Sequence, residues 1–440
     1  MPGARKIAAV IADHLKGRIA RGAVDTFALR LFNAGMRFLI SLALARMLGA
    51  AGFGAYSFAL ACVGVLSVPA LLGLDGLIVR EVANYHAGTQ WRLLNGLLRR
   101  ANQVTLLAST GLALAAAGVA WALSPYLESP MVMAFWVGLI ALPVLTQIRI
   151  KQAALLGLRH TIAGQAPEIL VQPVLFLLML GVIAATPGMV PKAPVIVGLY
   201  VAAAAGALVV AGKLLQDTWP DAAREAEPEY STPAWMRSAR TFVLITGMNV
   251  FGASLGVLML GPMSGAETTG IYGIATAAAA LIALPLTAIN IPMAPAVAGF
   301  FTEGNKEELQ RIATKAARGA LVLSLPMALI YALFGHWILL LFGADFTAGY
   351  TPLIILSIGQ VVNAGMGSSG VLLQMTGHER EVAKGLAIAL IFNIMANLIL
   401  IPIWGATGAA VGASGNMILW NIFLTVWVRR KLGIRPTVMG

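Results

Sequence analysis

The feature that most limits what this chain can become is a series of twelve apolar runs separated by short basic segments. The runs lie at roughly 27–48, 55–79, 101–123, 131–155, 166–186, 195–216, 241–263, 268–298, 317–335, 349–374, 382–403 and 406–428. A helix rises about 1.5 Å per residue, so about 20 apolar residues cross a hydrocarbon core of about 30 Å. Lipid offers the backbone no hydrogen bonds, and runs of this length satisfy their own as helices. The 440 residues are 59% hydrophobic and 11% charged, with mean hydropathy +0.84, which sets the chain apart from soluble domains. The expected fold is an all-α polytopic membrane protein.

Basic residues orient it. With the N-terminus inside, 26 of the 30 Lys and Arg fall on inner segments, Lys192 falls outside, and Arg30, Arg37 and Arg46 lie within the first run. This asymmetry predicts both termini in the cytoplasm of a cell whose cytoplasmic membrane holds the chain. The net charge of +12 does not indicate nucleic acid as a partner, because the basic residues punctuate the spans. Membrane lipids are the expected partner of residues 1–26, where Ile7, Ile11, Leu15 and Ile19 recur among five basic residues. No cleavable signal peptide is expected, since the following apolar run is a full span without a small-residue cleavage site. The single cysteine, Cys62, excludes an intramolecular disulfide and leaves the redox compartment open.

Polar residues 217–240, with three prolines and Glu225, Glu227 and Glu229, divide the spans six and six. The domains expected are a segment 1–26, a lobe 27–216, a cytoplasmic linker 217–240, a lobe 241–428 and a basic tail 429–440. Met47-Leu48-Gly49 and Gly54-Ala55-Tyr56 are echoed by Met259-Leu260-Gly261 and Gly270-Ile271-Tyr272, 212 residues on at the methionines and 216 at the tyrosines. Copies six spans apart point the same way, a parallel repeat about an axis along the membrane normal, as transporters have. Short outer loops at Ser124–Pro130, Pro187–Pro194 and Gly261–Gly270 leave no room for an outer domain.

Arg37 falls halfway along the first span. An arginine at that depth costs about 3 kcal/mol on insertion scales unless it meets water, protein or a ligand. Arg30, Asn33, Arg37 and Ser41 recur at helical spacing and form one cationic stripe. Arg37 either binds an anion there or is neutralised by Asp75 or by carbonyls of a neighbouring helix. Asp75 is the candidate for ion coupling, or else it stabilises a helix end. Arg80, Arg149 and Lys151 are candidates for a cytoplasmic mouth, or plain topology determinants. Glu168, Gln165 and Gln172 open the fifth span with the same ambiguity. The second half offers amides: Asn249, Asn290, Gln360, Asn363, Asn393 and Asn397 either line a polar cavity or bond helices together. Pro69, Pro285, Pro292 and Pro295 should bend their spans. No phosphate loop, H-E-x-x-H, Cys/His cluster or nucleophile elbow is present, so neither catalysis nor a metal or cofactor is expected.

The segments MLGAAGFGAYSFAL (47–60), GLDGLIVREVA (73–83), GIYGIATAAAALIALPLTAINIPMAPAVAGFFTEGNKEELQRI (270–312) and FTAGYTPLIILSIGQVVNAGMGSSGVLLQMTGHE (346–379) resemble the bacterial polysaccharide transporters. These are the O-antigen and exopolysaccharide flippases of the multidrug/oligosaccharidyl-lipid/polysaccharide exporter superfamily. The resemblance implies two six-helix lobes about a central cationic cavity that opens alternately to each side. It implies as substrate an oligosaccharide on undecaprenyl pyrophosphate, with a polysaccharide polymerase complex as a further partner. The stretch 254–260 has no acidic residue where many relatives carry one, so the C-terminal lobe is not expected to couple ions through a carboxylate there. Two rivals are a drug or organic-cation antiporter of the same superfamily and a membrane enzyme of glycan assembly. The first should place carboxylates where this chain has arginines, and the second needs large polar loops.

Overall fold

The computed structural model describes residues 2–123, 129–186, 188 and 191–440, with 2–28, 30, 123, 129, 240, 241 and 245 described by backbone alone. Every regular element among them is helical. Ten stretches are long and apolar enough to cross a membrane once two bent pairs are each joined, Pro130–Leu139 with Ala141–Gly157 and Ala344–Met366 with Ser369–Met375. Two of the ten, Leu31–Leu71 and Thr232–Thr302, are too long for one crossing, and each is divided by a glycine. That makes twelve spans among the described residues, in two lobes of six.

The dividing glycines are Gly49 (φ 65°, ψ −178°) and Gly265 (φ 81°, ψ 175°). Both adopt a left-handed backbone that side chains disfavour, and the chain reverses there between spans one and two and between seven and eight. They stand 216 residues apart. Of the two offsets visible in the sequence, the fold follows this one: Gly49 matches Gly265, Gly54 matches Gly270 and Tyr56 matches Tyr272. Met259-Leu260-Gly261 falls four residues before the reversal and is no counterpart of Met47-Leu48-Gly49.

The lobes meet closely at this end. A Cβ built on Gly54 would lie 1.7 Å from the Ala266 carbonyl oxygen, and one on Gly270 would lie 2.0 Å from that of Ala50. Each residue of one hairpin thus touches the other hairpin's counterpart of its own partner, the reciprocity of a two-fold axis. We call this end the turn face and the opposite end, rich in Lys and Arg, the basic face.

At the basic face, Leu72 and Gly73 adopt positive φ and separate span two from the helix Leu74–Ala87. Trp235 Nε1 donates to the Tyr85 hydroxyl at 3.0 Å, tying that helix to span seven. The inter-lobe segment is pinned to the first lobe, with Asn95 Nδ2 donating to the Ala226 carbonyl (2.9 Å) and the Glu229 N–H to that of Arg92 (3.0 Å). Helix resumes at Thr232, earlier than the expected 241. Spans three and nine also begin early, as Trp91–Leu123 and Lys306–Leu340, because no breaker separates each basic amphipathic segment from its span. The Asn305 side chain caps the latter by accepting from the Glu308 N–H at 3.0 Å. Span eight carries a 3-10 turn, Leu281–Ala283, just before Pro285, and span two ends two residues after Pro69. The side-chain face of 2–26 and the segments 124–128, 187 and 189–190, parts of the expected outer loops, lie outside the described residues.

Candidate functional site

A cavity of about 790 Å³ lies between the lobes and is walled mainly by the first. Span one contributes Asn33, Arg37 and Ser41, so the polar stripe faces this space. Span two adds Tyr56, Ser57 and Ser67, span four Arg149, span five Glu168, Gln172 and Phe176, and span six Tyr200. From the second lobe come Thr276 and Thr287 of span eight among apolar neighbours, and Val257 of span seven. A smaller space of about 340 Å³ shares Asn33, Arg37, Glu168 and Ile169 with it and adds Gln152, Leu156 and Gln165. Leu156 and Gln165 stand within about a turn of the helix ends at Gly157 and Thr161, so this vestibule leads to the basic face.

Arg37 is exposed in this chamber and makes no hydrogen bond or ion pair with the described residues. Neither Asp75 nor a neighbouring carbonyl neutralises it. It shares the cavity wall with Tyr56 and Tyr200, which stand away from the vestibule, at the deep end. There Tyr56 stacks on Phe176 (6.3 Å between centroids) and Tyr200 meets the same ring edge-on (5.7 Å). Gln172 is only 5% exposed, and its Nε2 lies against the Tyr200 hydroxyl without forming a full hydrogen bond to any described residue. The Arg149 guanidinium lies 3.1 Å from Glu168 Oε1. Glu168 stands in a π-helical turn, Pro167–Val171, and such single-turn distortions recur at functional sites. The wall thus offers a free guanidinium, a paired one and several hydroxyl and amide groups at membrane depth, a setting for a large anionic, polar ligand.

The other residues singled out from sequence fall elsewhere. Arg30 is described by backbone alone. Asp75 is half-buried in the first turn of Leu74–Ala87, where a carboxylate favours the helix N-terminus, and it lines neither space. Arg80 pairs with Glu81 (2.9 Å), donates to Ser238 (3.1 Å) and lies over the Phe242 ring, a link between lobes rather than a mouth. The Lys151 stem runs against Gly212 of span six. Of the expected mouth residues, Arg149 is the one in the cavity wall. None of the six amides lines either space. Ser368 donates to Asn290 and Asn421 to Asn363 (2.9 Å), which joins span ten to spans eight and twelve. Asn397 donates to Asn393 (3.0 Å) within span eleven, and its oxygen faces Gly412 of span twelve. Asn249 has a partner, and the Gln360 oxygen is buried without one among the described residues. Tyr56 and Tyr200, absent from the sequence candidates, do line the cavity.

Two six-span lobes around a chamber between them are the architecture of a membrane transporter. Residues 19–298 match the family described as polysaccharide biosynthesis protein, and residues 241–399 match the MatE family. The chain belongs to the polysaccharide biosynthesis protein family. It is 20% identical over 422 residues to the probable low-salt glycan biosynthesis flippase Agl15 of Haloferax volcanii, covering 94% of this chain and 85% of that one. In fold it is similar to the inward-facing conformation of a multidrug resistance MATE family transporter of the MOP superfamily (TM-score 0.75, 13% identity, 92% and 94% coverage). It is also similar to the inward closed conformation of the lipid II flippase MurJ (TM-score 0.65, 10% identity, 92% and 87% coverage).

Proposed function

We propose that the chain flips a lipid-linked oligosaccharide from the cytoplasmic to the periplasmic leaflet of a bacterial inner membrane, for O-antigen or exopolysaccharide synthesis. The carrier is a polyprenyl pyrophosphate of the undecaprenyl type. The observation that carries this reading is Arg37, unpaired and exposed in a chamber that reaches the basic face. A pyrophosphate diester brings two negative charges and needs a cation at membrane depth, and a guanidinium can grip two of its oxygens at once. Asn33, Ser41 and, farther along the stripe, Arg30 are assigned to the same headgroup, and Arg149 to a second contact. The hydroxyls, amides and aromatic rings of the deep end suit a glycan, while a polyprenyl tail stays in lipid.

The basic face is taken as cytoplasmic from the distribution of Lys and Arg, with both termini there. Contact at the turn face then closes the periplasmic side, and alternation of the two openings moves the headgroup. A polysaccharide polymerase complex would receive the product. The likeness to a probable low-salt glycan biosynthesis flippase supports this reading over export of organic cations, and so does the sign of the unpaired charge.

Substitution at Arg37 tests it. In cells lacking their own flippase for this glycan, Arg37→Gln should abolish surface-glycan synthesis at wild-type expression and melting temperature, while Arg37→Lys should retain part of it. Full complementation by Arg37→Gln would remove the headgroup role.

A further inference from the structure

The Arg149–Glu168 pair is the unexpected part of an anion-binding chamber, since it covers one of two described guanidiniums with a carboxylate. Its purpose is not stability. With side chains 45% and 28% exposed, such a pair contributes little to holding spans four and five together. Spans four and five already pack closely, with Gly164 set against Leu156. Two features around the pair point to exchange. Glu168 sits in the π turn rather than in regular helix. One turn further on, and also in the cavity wall, the buried Gln172 holds an Nε2 donor that lies against the Tyr200 hydroxyl without a full hydrogen bond and is open to a better acceptor.

We infer that Glu168 is an internal competitor for Arg149, displaced when a pyrophosphate enters and restored when it leaves. This rests on the function proposed above. In the empty chamber the carboxylate occupies Arg149. On binding, Arg149 turns to a phosphate oxygen, and Glu168 swings along its own helix face to the waiting Gln172 amide. The competitor keeps affinity low enough for release on the far side. Arg37, which has no such partner, captures the headgroup first. Glu168 is therefore a positioning residue that acts through Arg149, setting how long the ligand stays.

The experiment measures binding and dissociation of farnesyl pyrophosphoryl-N-acetylglucosamine, a soluble diester analogue, by the purified full-length protein in detergent. Glu168→Gln should bind about tenfold more tightly, mainly through slower dissociation, and Arg149→Gln more weakly than wild type. The double variant should match Arg149→Gln within about twofold if Glu168 acts through Arg149, and clearly tighter binding than Arg149→Gln would show direct repulsion of the ligand by Glu168 and overturn the competitor. Glu168→Asp, which draws the carboxylate back by one methylene, should fall between wild type and Glu168→Gln and decides the matter if Glu168→Gln folds poorly. A purely supporting role for Glu168 predicts the opposite sign. Equal or weaker binding by Glu168→Gln, with Arg37→Gln still impaired, would overturn the competitor and leave the flippase reading standing. Failure of wild type to bind the probe, or wild-type binding by Arg37→Gln, would overturn the flippase reading and the competitor with it.

Discussion

Arg37 was legible in the sequence because a helix turns by a fixed angle per residue. Asn33, Arg37 and Ser41 had to share a face, and burying such a face in lipid would have been costly. Arg80 offered no such pattern. The backbone breaks at Leu72 and Gly73, so the rotational phase of span two does not carry into Leu74–Ala87, and Arg80 turns toward Ser238 and Phe242. Tyr56 and Tyr200 were hidden for another reason. A tyrosine within an apolar run reads as hydrophobic filling, and only the tertiary arrangement shows that these two share one cavity. The position of Asp75 carries a prediction. It stands in a first helical turn with no described ion pair and off the cavity wall, so Asp75→Asn should lower stability by about 0.3–1 kcal/mol. Transport in vesicles should keep whatever ion-gradient dependence the wild type has. Loss of that dependence in a folded Asp75→Asn protein would return Asp75 to the coupling role.

Among the elements, the two glycine reversals explain why twelve runs in the sequence appear as fewer uninterrupted helices. Gly49 and Gly265 turn the chain within one residue, so no loop separates the spans they join. Propensity marks both glycines as breakers, but the match of Gly49 to Gly265 rather than Gly261 becomes visible only when dihedral angles and contacts are compared. The adjoining crossing is backbone on backbone, which no side-chain movement relieves. Gly54→Ala should therefore lower the melting temperature markedly or part the lobes at the turn face. Gly35→Ala in span one meets nothing within 4 Å and should be neutral or stabilising by up to about 1 kcal/mol. Equal melting temperatures for the two variants would contradict the close crossing. The same repeat shows how the lobes have diverged. The 216-residue offset pairs Asn33 with Asn249 but Arg37 with Ala253, so the cationic position has no counterpart in the second lobe.

At the scale of the whole molecule, hydropathy and the distribution of Lys and Arg were enough to expect the spans and two lobes. The division of labour between the lobes was not legible. Asn290 and Asn363 of the second lobe bond helix to helix, and that lobe faces the cavity mainly through span eight. Closure at the turn face is open to a cross-linking test. A Cβ on Gly273 would stand 3.5 Å from Ser57 Oγ across the lobes, so Ser57→Cys with Gly273→Cys, in a Cys62→Ser background, should form a disulfide. That disulfide should stop transport until reduced, and wild-type transport by the cross-linked protein would show that this contact does not gate the cavity. The most direct measurement of the central claim uses the purified protein in liposomes with a fluorescent polyprenyl pyrophosphoryl oligosaccharide in one leaflet, followed by its accessibility to an impermeant quencher. Transfer of the label to the other leaflet should depend on the protein, be lost in Arg37→Gln and be partly kept in Arg37→Lys. Transfer no faster than in protein-free liposomes, or equally fast with Arg37→Gln, would contradict that claim.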